Sequence, residues 1–137
     1  MEERRLIVHT FRFSLRPETT AAQRERVLTL LRSTAALESV SFGTVGRCFG
    51  DADGYTHGYV VGIADLAALE RYLHDPVHLA GDPEIVPHFA RLGVGPEVSD
   101  DPDPELPAKI EALNGAKIAK YPEWAALPAT IPEVRIY

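Results

Sequence analysis

The residues with the most chemistry in them lie in one short run, Arg71-Tyr72-Leu73-His74-Asp75-Pro76-Val77-His78. Pro76 cannot donate a backbone hydrogen bond and pushes Asp75 out of helical geometry, so a helix must stop near Leu73. Asp75 then reads as an N-cap and Pro76 as the first position of a second helix. His78 falls at the third helical position, where the Asp75 carboxylate is placed to cap its backbone N–H. The positive end of a helix disfavours imidazolium and biases His78 toward the neutral form. The sharp corner turns the Tyr72 phenol toward that ring. A neutral imidazole beside a phenol is a base and an acid for moving a proton on a small organic substrate. The plain alternative is that two rings decorate a helix–turn–helix corner.

Two further histidines lie on strands. Leu6 to Leu15 alternates, with Ile7, His9, Phe11, Phe13 and Leu15 on one face and Val8, Thr10, Arg12 and Ser14 on the other, the period of a strand with one buried face. Tyr55 to Ala64 reads as another strand, in which Tyr55, His57, Tyr59, Val61 and Ile63 share a face. Its Gly58 and Gly62 fall on the opposite face, where another backbone layer can come close. His9 and His57 are either satisfied core histidines or, with Tyr55 and Tyr59, the polar lining of a pocket. The candidate site is therefore His78 and Tyr72 as catalytic pair, with His57, His9, Tyr55 and Tyr59 binding the substrate.

The elements between them follow from capping and period. Pro17-Glu18-Thr19-Thr20 opens a helix to about Ser33. Val40 to Phe49 is the second strand, and Gly50-Asp51-Ala52-Asp53-Gly54 is a turn. Asp65 caps a helix from Leu66 to Leu73. Asp82-Pro83 opens a further helix to about Leu92, kinked at Pro87, before a last strand from Gly93 to Val98. The order β-α-β-β-α-β implies a ferredoxin-like α+β sandwich, an antiparallel sheet with its helices on one face. The uncovered face calls for a second copy, which makes the chain a homodimer.

Beyond Ser99 the composition shifts to an acidic, proline-rich linker, Asp100-Asp101-Pro102-Asp103-Pro104. The reading is a domain over residues 1–99 and an extension over residues 100–137 that packs on the domain or on a partner subunit. Lys109 to Lys120 forms one helix with Ile110, Leu113 and Ile118 toward a surface. Tyr121, Trp124, Leu127, Ile131, Val134, Ile136 and Tyr137 are too many large apolar groups for a disordered tail.

Four landmarks fall in an order and spacing that resembles the stress-responsive dimeric α/β-barrel (Dabb) family, over about residues 5–98. They are His9 opening a strand, Glu18-Thr19-Thr20-Ala21-Ala22-Gln23 at the first helix, Gly54-Tyr55-Thr56-His57 opening the third strand, and Tyr72 with Pro76-Val77-His78 at the corner. The resemblance implies a dimeric α/β barrel. It extends to plant polyketide cyclases of the olivetolic acid type, which close a linear polyketide by aldol chemistry without metal or cofactor, and to hydroxynitrile lyases of the same fold. Their pocket tyrosine and histidine match Tyr72 and His78, and two further pocket histidines match His9 and His57. Many members carry histidine-proline at the corner where this chain has Asp75-Pro76.

The totals exclude several classes. The 137 residues, 45% hydrophobic and 25% charged, make one globular domain with a real core. A net charge of -6 disfavours nucleic acid and anionic membranes as partners. Cys48 stands alone, so the default setting is reducing and cytoplasmic. The apolar run after Met-Glu-Glu-Arg-Arg is too short for a signal peptide, and no membrane span is present. His74 and His78 have a metal-ligand spacing, but Pro76 breaks the helix between them. The turn at Asp51 lacks the glutamate a calcium loop needs. No metal and no cofactor are expected. The function expected is a cofactor-independent cyclase or lyase acting on a small hydrophobic carbonyl compound. The alternatives are a non-catalytic ligand-binding or stress-protective dimer and a cofactorless or haem-linked monooxygenase.

Overall fold

Alternation from Ile7 to Leu15 gives the central strand of the sheet, β1 (Ile7–Leu15). A computed structural model of the chain describes residues 6–50 and 53–137, so the Met-Glu-Glu-Arg-Arg start and Asp51-Ala52 of the expected turn lie outside it. β1 pairs antiparallel with β3 (His57–Ile63), in a register that sets Ile7 against Ile63, Phe11 against Tyr59 and Phe13 against His57. Its other edge pairs with β4 (Phe89–Val94) and with β5 (Val98–Ser99), both antiparallel. β2 (Phe42–Arg47) lies outside β3, giving the order β2-β3-β1-β4.

Three helices cover one face. α1 (Ala21–Ala35) starts in a full capping box, in which the Thr20 hydroxyl accepts from Gln23 N–H and the Gln23 side chain accepts from Thr20 N–H. α2 (Leu66–His74) is capped by Asp65 and turns Leu69, Tyr72 and Leu73 inward. α3 (Pro76–Ile85) follows at once. The plan is the ferredoxin-like α+β one, with its second helical unit divided at Asp75-Pro76. Phe13, Tyr59, Val61 and Ile63 from the sheet meet Val27, Leu31, Leu69 and Ile85 from the helices in the core.

Two expectations change. Asp82-Pro83 does not open a new helix, because both residues lie inside α3. Proline there forfeits only the bond to the Leu79 carbonyl, two residues before the helix ends, so the break it would cause mid-helix is small. A single 3₁₀ turn at Val86–His88 contains Pro87, and the strand after it is β4 at Phe89–Val94, earlier than the expected Gly93 to Val98.

The remaining segment is folded onto the rest. α4 (Leu106–Lys120) packs on α2, and α5 (Pro122–Ala125) packs on α3. β6 (Glu133–Ile136) then joins the edge of β4 in parallel, so the sheet is mixed where an antiparallel one was expected. Leu106 and Ile131 enter the core, each burial worth about 1.5–3 kcal/mol. On α4 it is Ile110 and Leu113 that pack inward, while Ile118 is exposed.

Candidate active site at the helix corner

The corner between α2 and α3 is made by Asp75, whose backbone is extended at φ -64° and ψ 131°. Its Oδ1 accepts from the N–H of Val77 at 2.9 Å, one residue before the His78 N–H that spacing suggested. The turn sets the Tyr72 and His78 rings 4.5 Å apart between centroids, tilted by 47°. They do not bond through the phenol. His78 Nδ1 lies 2.9 Å from the backbone oxygen of Tyr72, and since a carbonyl only accepts, Nδ1 carries the proton and donates it. Nε2, which faces a carboxylate, is then the ring position that gains or loses the second proton. Asp82 Oδ2 stands 3.4 Å from it, one helical turn along α3, longer than a good N–H···O bond.

The Tyr72 hydroxyl pairs instead with the Tyr59 hydroxyl at 2.6 Å. Both rings are in the core, Tyr72 only 2% exposed. Burial pushes both phenols well above the ordinary tyrosine value, with the Asp82 charge adding to it, so each remains a proton donor. Tyr59 stacks on Phe11 at 4.5 Å and takes the edge of His9 at 6.4 Å, and His9 Nδ1 is held by the Glu97 carboxylate.

The other side of the site comes from the C-terminal segment. Trp124 Nε1 donates to Asp82 Oδ2 at 2.6 Å, and Lys117 Nζ sits 3.8 Å over the Trp124 ring. Burial alone would raise the Asp82 carboxyl. The His78 contact and charge, the Trp124 bond and the Lys117 charge outweigh it, and the group titrates below its ordinary value. Burial pulls the Lys117 amine down to about 8, against the opposing pull of Asp82.

The residues expected from sequence are thus partly brought together. Tyr72, His78, Tyr59 and His9 form one connected group. His57 stands at the far end of the aromatic ladder, stacked on Phe13 at 5.4 Å with Thr56 Oγ1 2.8 Å from its Nδ1. Burial and the charges of Arg24 and Arg32 lower its basicity. Tyr55 does not share the face of Tyr59: β3 begins only at His57, and the Tyr55 ring lies on the other side of the sheet under the Arg12 guanidinium, 4.7 Å away. Asp82, Glu97, Lys117 and Trp124 were missed. The four-residue step from His78 to Asp82 was the one readable signal, hidden by taking Asp82 for a helix cap.

Behind the Tyr59–Tyr72 hydroxyl pair, Tyr59 stacks on Phe11, and the Phe11, Phe13 and Phe89 rings pack against one another. A groove of about 460 Å³ runs instead between Ile7, β5 and α4 and reaches Glu97. Among the described residues, no group of three or more His, Cys, Asp or Glu side chains is placed to hold a metal ion, and no helix is long and apolar enough to cross a membrane.

The family model described as the stress responsive A/B barrel domain matches residues 7–95. The chain belongs to the Dabb family. The Dabb match contains His9, His57, Tyr72, His78 and Asp82, whereas Glu97, Lys117 and Trp124 lie beyond it. No curated protein matches the sequence. Among solved structures, the chain is similar to a Dabb family protein with a ferredoxin-like fold from Mesorhizobium loti, at 25% identity over 72% of this chain and 97% of that one, with a TM-score of 0.59. A dimeric ferredoxin-like protein of unknown function from Thermobifida fusca is also 25% identical, over 71% of this chain and 91% of that one, with a TM-score of 0.57. The hydroxynitrile lyase of Passiflora edulis is 17% identical, over 71% of this chain and 94% of that one, with a TM-score of 0.60, a likeness of fold.

Proposed function

We propose that this Dabb chain is a homodimeric, cofactor-independent lyase or cyclase that carries out aldol-type or dehydrative acid–base chemistry on a small hydrophobic carbonyl compound. The observation that carries the reading is the bond from His78 Nδ1 to the Tyr72 carbonyl, which leaves Nε2 to take a proton. The Asp82 contact at Nε2 is long enough for a substrate to displace, and both side chains keep some exposure, 12% and 16%. His78 removes the proton next to the substrate carbonyl, and Asp82 stabilises the imidazolium that results. Tyr72, backed by Tyr59, donates to the enolate oxygen as its charge develops. His9, held by Glu97, orients the substrate. His57 and Tyr55 have no part in this step.

The dimer reading draws on the sheet face that carries no helix. Val8, Val60, Val98 and Phe42 lie there, Phe42 over Gly62 and 46% exposed. A second copy packed on this face removes the apolar surface from water. The Thermobifida fusca neighbour is described as dimeric.

A second reading, a non-catalytic dimer that binds a small hydrophobic ligand, is favoured by the stack of aromatic rings behind Tyr59. A panel of β-keto compounds and cyanohydrins offered to the full-length protein separates the two. Turnover of any member that is lost in His78→Ala supports the enzyme. Saturable binding with no turnover across the panel sinks it in favour of the binding dimer.

A further inference from the structure

Lys117 is placed where packing alone would put an apolar residue. It is 1% exposed, its Nζ has no hydrogen-bond partner among the described residues, and its neighbour Ile118 is 52% exposed. Burying an ammonium without partners is costly, and lysine is almost never fully buried unless paired. Two features offset that cost. The Trp124 ring lies 3.8 Å below the nitrogen, and the Asp82 charge pulls it toward its protonated form. The indole N–H of the same tryptophan is bonded to Asp82 Oδ2, and that oxygen is the one facing His78 Nε2. Lys117 on α4, Trp124 on α5 and Asp82 on α3 are thus linked in turn, cation over ring and ring N–H to carboxylate, and the oxygen that accepts from the indole is the one next to the His78 ring.

We propose that Lys117 and Trp124 are positioning residues of the His78 site: Trp124 aims the Asp82 carboxylate at Nε2, and Lys117 shares its charge, so that His78 can release the proton it takes up. The inference rests on the reading of His78 as the base. The groups facing Asp82 are His78 on its own helix, Trp124 on α5, Lys117 on α4, and the Tyr72 and Tyr59 phenols on α2 and β3, which feel its charge. Glu97, on the connection between β4 and β5, adds its charge at Tyr72. The His74–Tyr121 contact, 3.1 Å long, links α2 to the start of α5 without touching Asp82. With Lys117 charged, the carboxylate is divided between two cations. With Lys117 neutral or absent, Asp82 faces His78 alone and holds its imidazolium more firmly, so less of the free base is present at a given pH.

Trp124 is the only tryptophan of the chain, so its emission reports on this arrangement directly. In the full-length protein, with the fold followed by circular dichroism, Trp124 emission is expected to change in a single step near pH 8 as Lys117 loses its proton. Lys117→Met abolishes the step, and Lys117→Arg, which keeps its charge, shows none below pH 10. Nitrogen-15 spectra of the His78 ring give the second readout. The ring should hold its proton to a higher pH in Lys117→Met and in folded Trp124→Phe than in the parent, and match the parent in Lys117→Arg. With a substrate in hand, kcat in Lys117→Met falls on the acid side while KM stays. Flat emission in the parent, or a His78 ring that titrates alike in parent and Lys117→Met, overturns the proposal. Both spectroscopic effects without turnover of any substrate would uphold the positioning and sink the catalytic reading instead.

Discussion

Trp124 gives its indole N–H to the Asp82 carboxylate across 2.6 Å, tying α5 to the helix that carries His78. Hydrogen bonds to charged groups contribute about 1.5–3 kcal/mol. Trp124→Phe, which keeps an aromatic ring over α3 but removes the donor, is expected to lower the unfolding free energy by about 2 kcal/mol, with the denaturant m-value unchanged. An unchanged denaturation midpoint would show the bond to be of no consequence to folding.

The Tyr59–Tyr72 phenol pair makes a separate prediction. Removing one hydroxyl leaves the other buried and unpaired, a cost of about 1–3 kcal/mol. Tyr59→Phe and Tyr72→Phe should each cost that much, and the double variant clearly less than their sum. Additive losses in chemical denaturation would mean that the two hydroxyls do not depend on each other.

Stability should also depend on pH through Lys117. Its amine is drawn from 10.5 down to about 8 in the folded protein, so between those values the unfolded chain binds more protons than the folded one. Stability therefore rises with pH above 8, by up to about 3 kcal/mol if nothing intervenes. Above pH 10 the phenols of Tyr59 and Tyr72 act the other way, because burial keeps them protonated in the fold while the unfolded chain releases those protons. The window is pH 8 to 10. Urea midpoints in the parent should climb through it, and those of Lys117→Met should not.

The bare sheet face predicts association. Light scattering at micromolar concentration is expected to give twice the 15.0 kDa chain mass. Phe42→Asp, which sets a charge on that face, should return one chain mass with the fold intact. A parent that stays at one chain mass would contradict the dimer.

How far the sequence could be read follows from how local each signal is. The β1 alternation, the helix start at Thr20 and the Asp75-Pro76 corner are settled within a few residues, and all appear in the fold. Asp82-Pro83 looks the same locally, yet the Asp82 carboxylate is turned to His78 and Trp124, and the tertiary contacts decide. Tyr55 lies two residues before β3 pairing begins, so the strand alternation does not carry its face. The partners Glu97, Lys117 and Trp124 stand 88, 35 and 42 positions from the residues they serve, His9 for the first and Asp82 for the others, and no periodicity reaches that far.

In the proposed reaction His78 takes a proton and Tyr72 supplies one. The most direct measurement is the turnover rate of the full-length protein on whichever member of the carbonyl panel it converts, beside His78→Ala and Tyr72→Phe variants shown to be folded. General acid–base groups contribute about 10²–10⁴-fold, so each variant is expected to be slower by that factor, with the bound substrate still saturating. Equal rates in the parent and both variants would contradict the account and leave the corner as a structural feature of a binding protein.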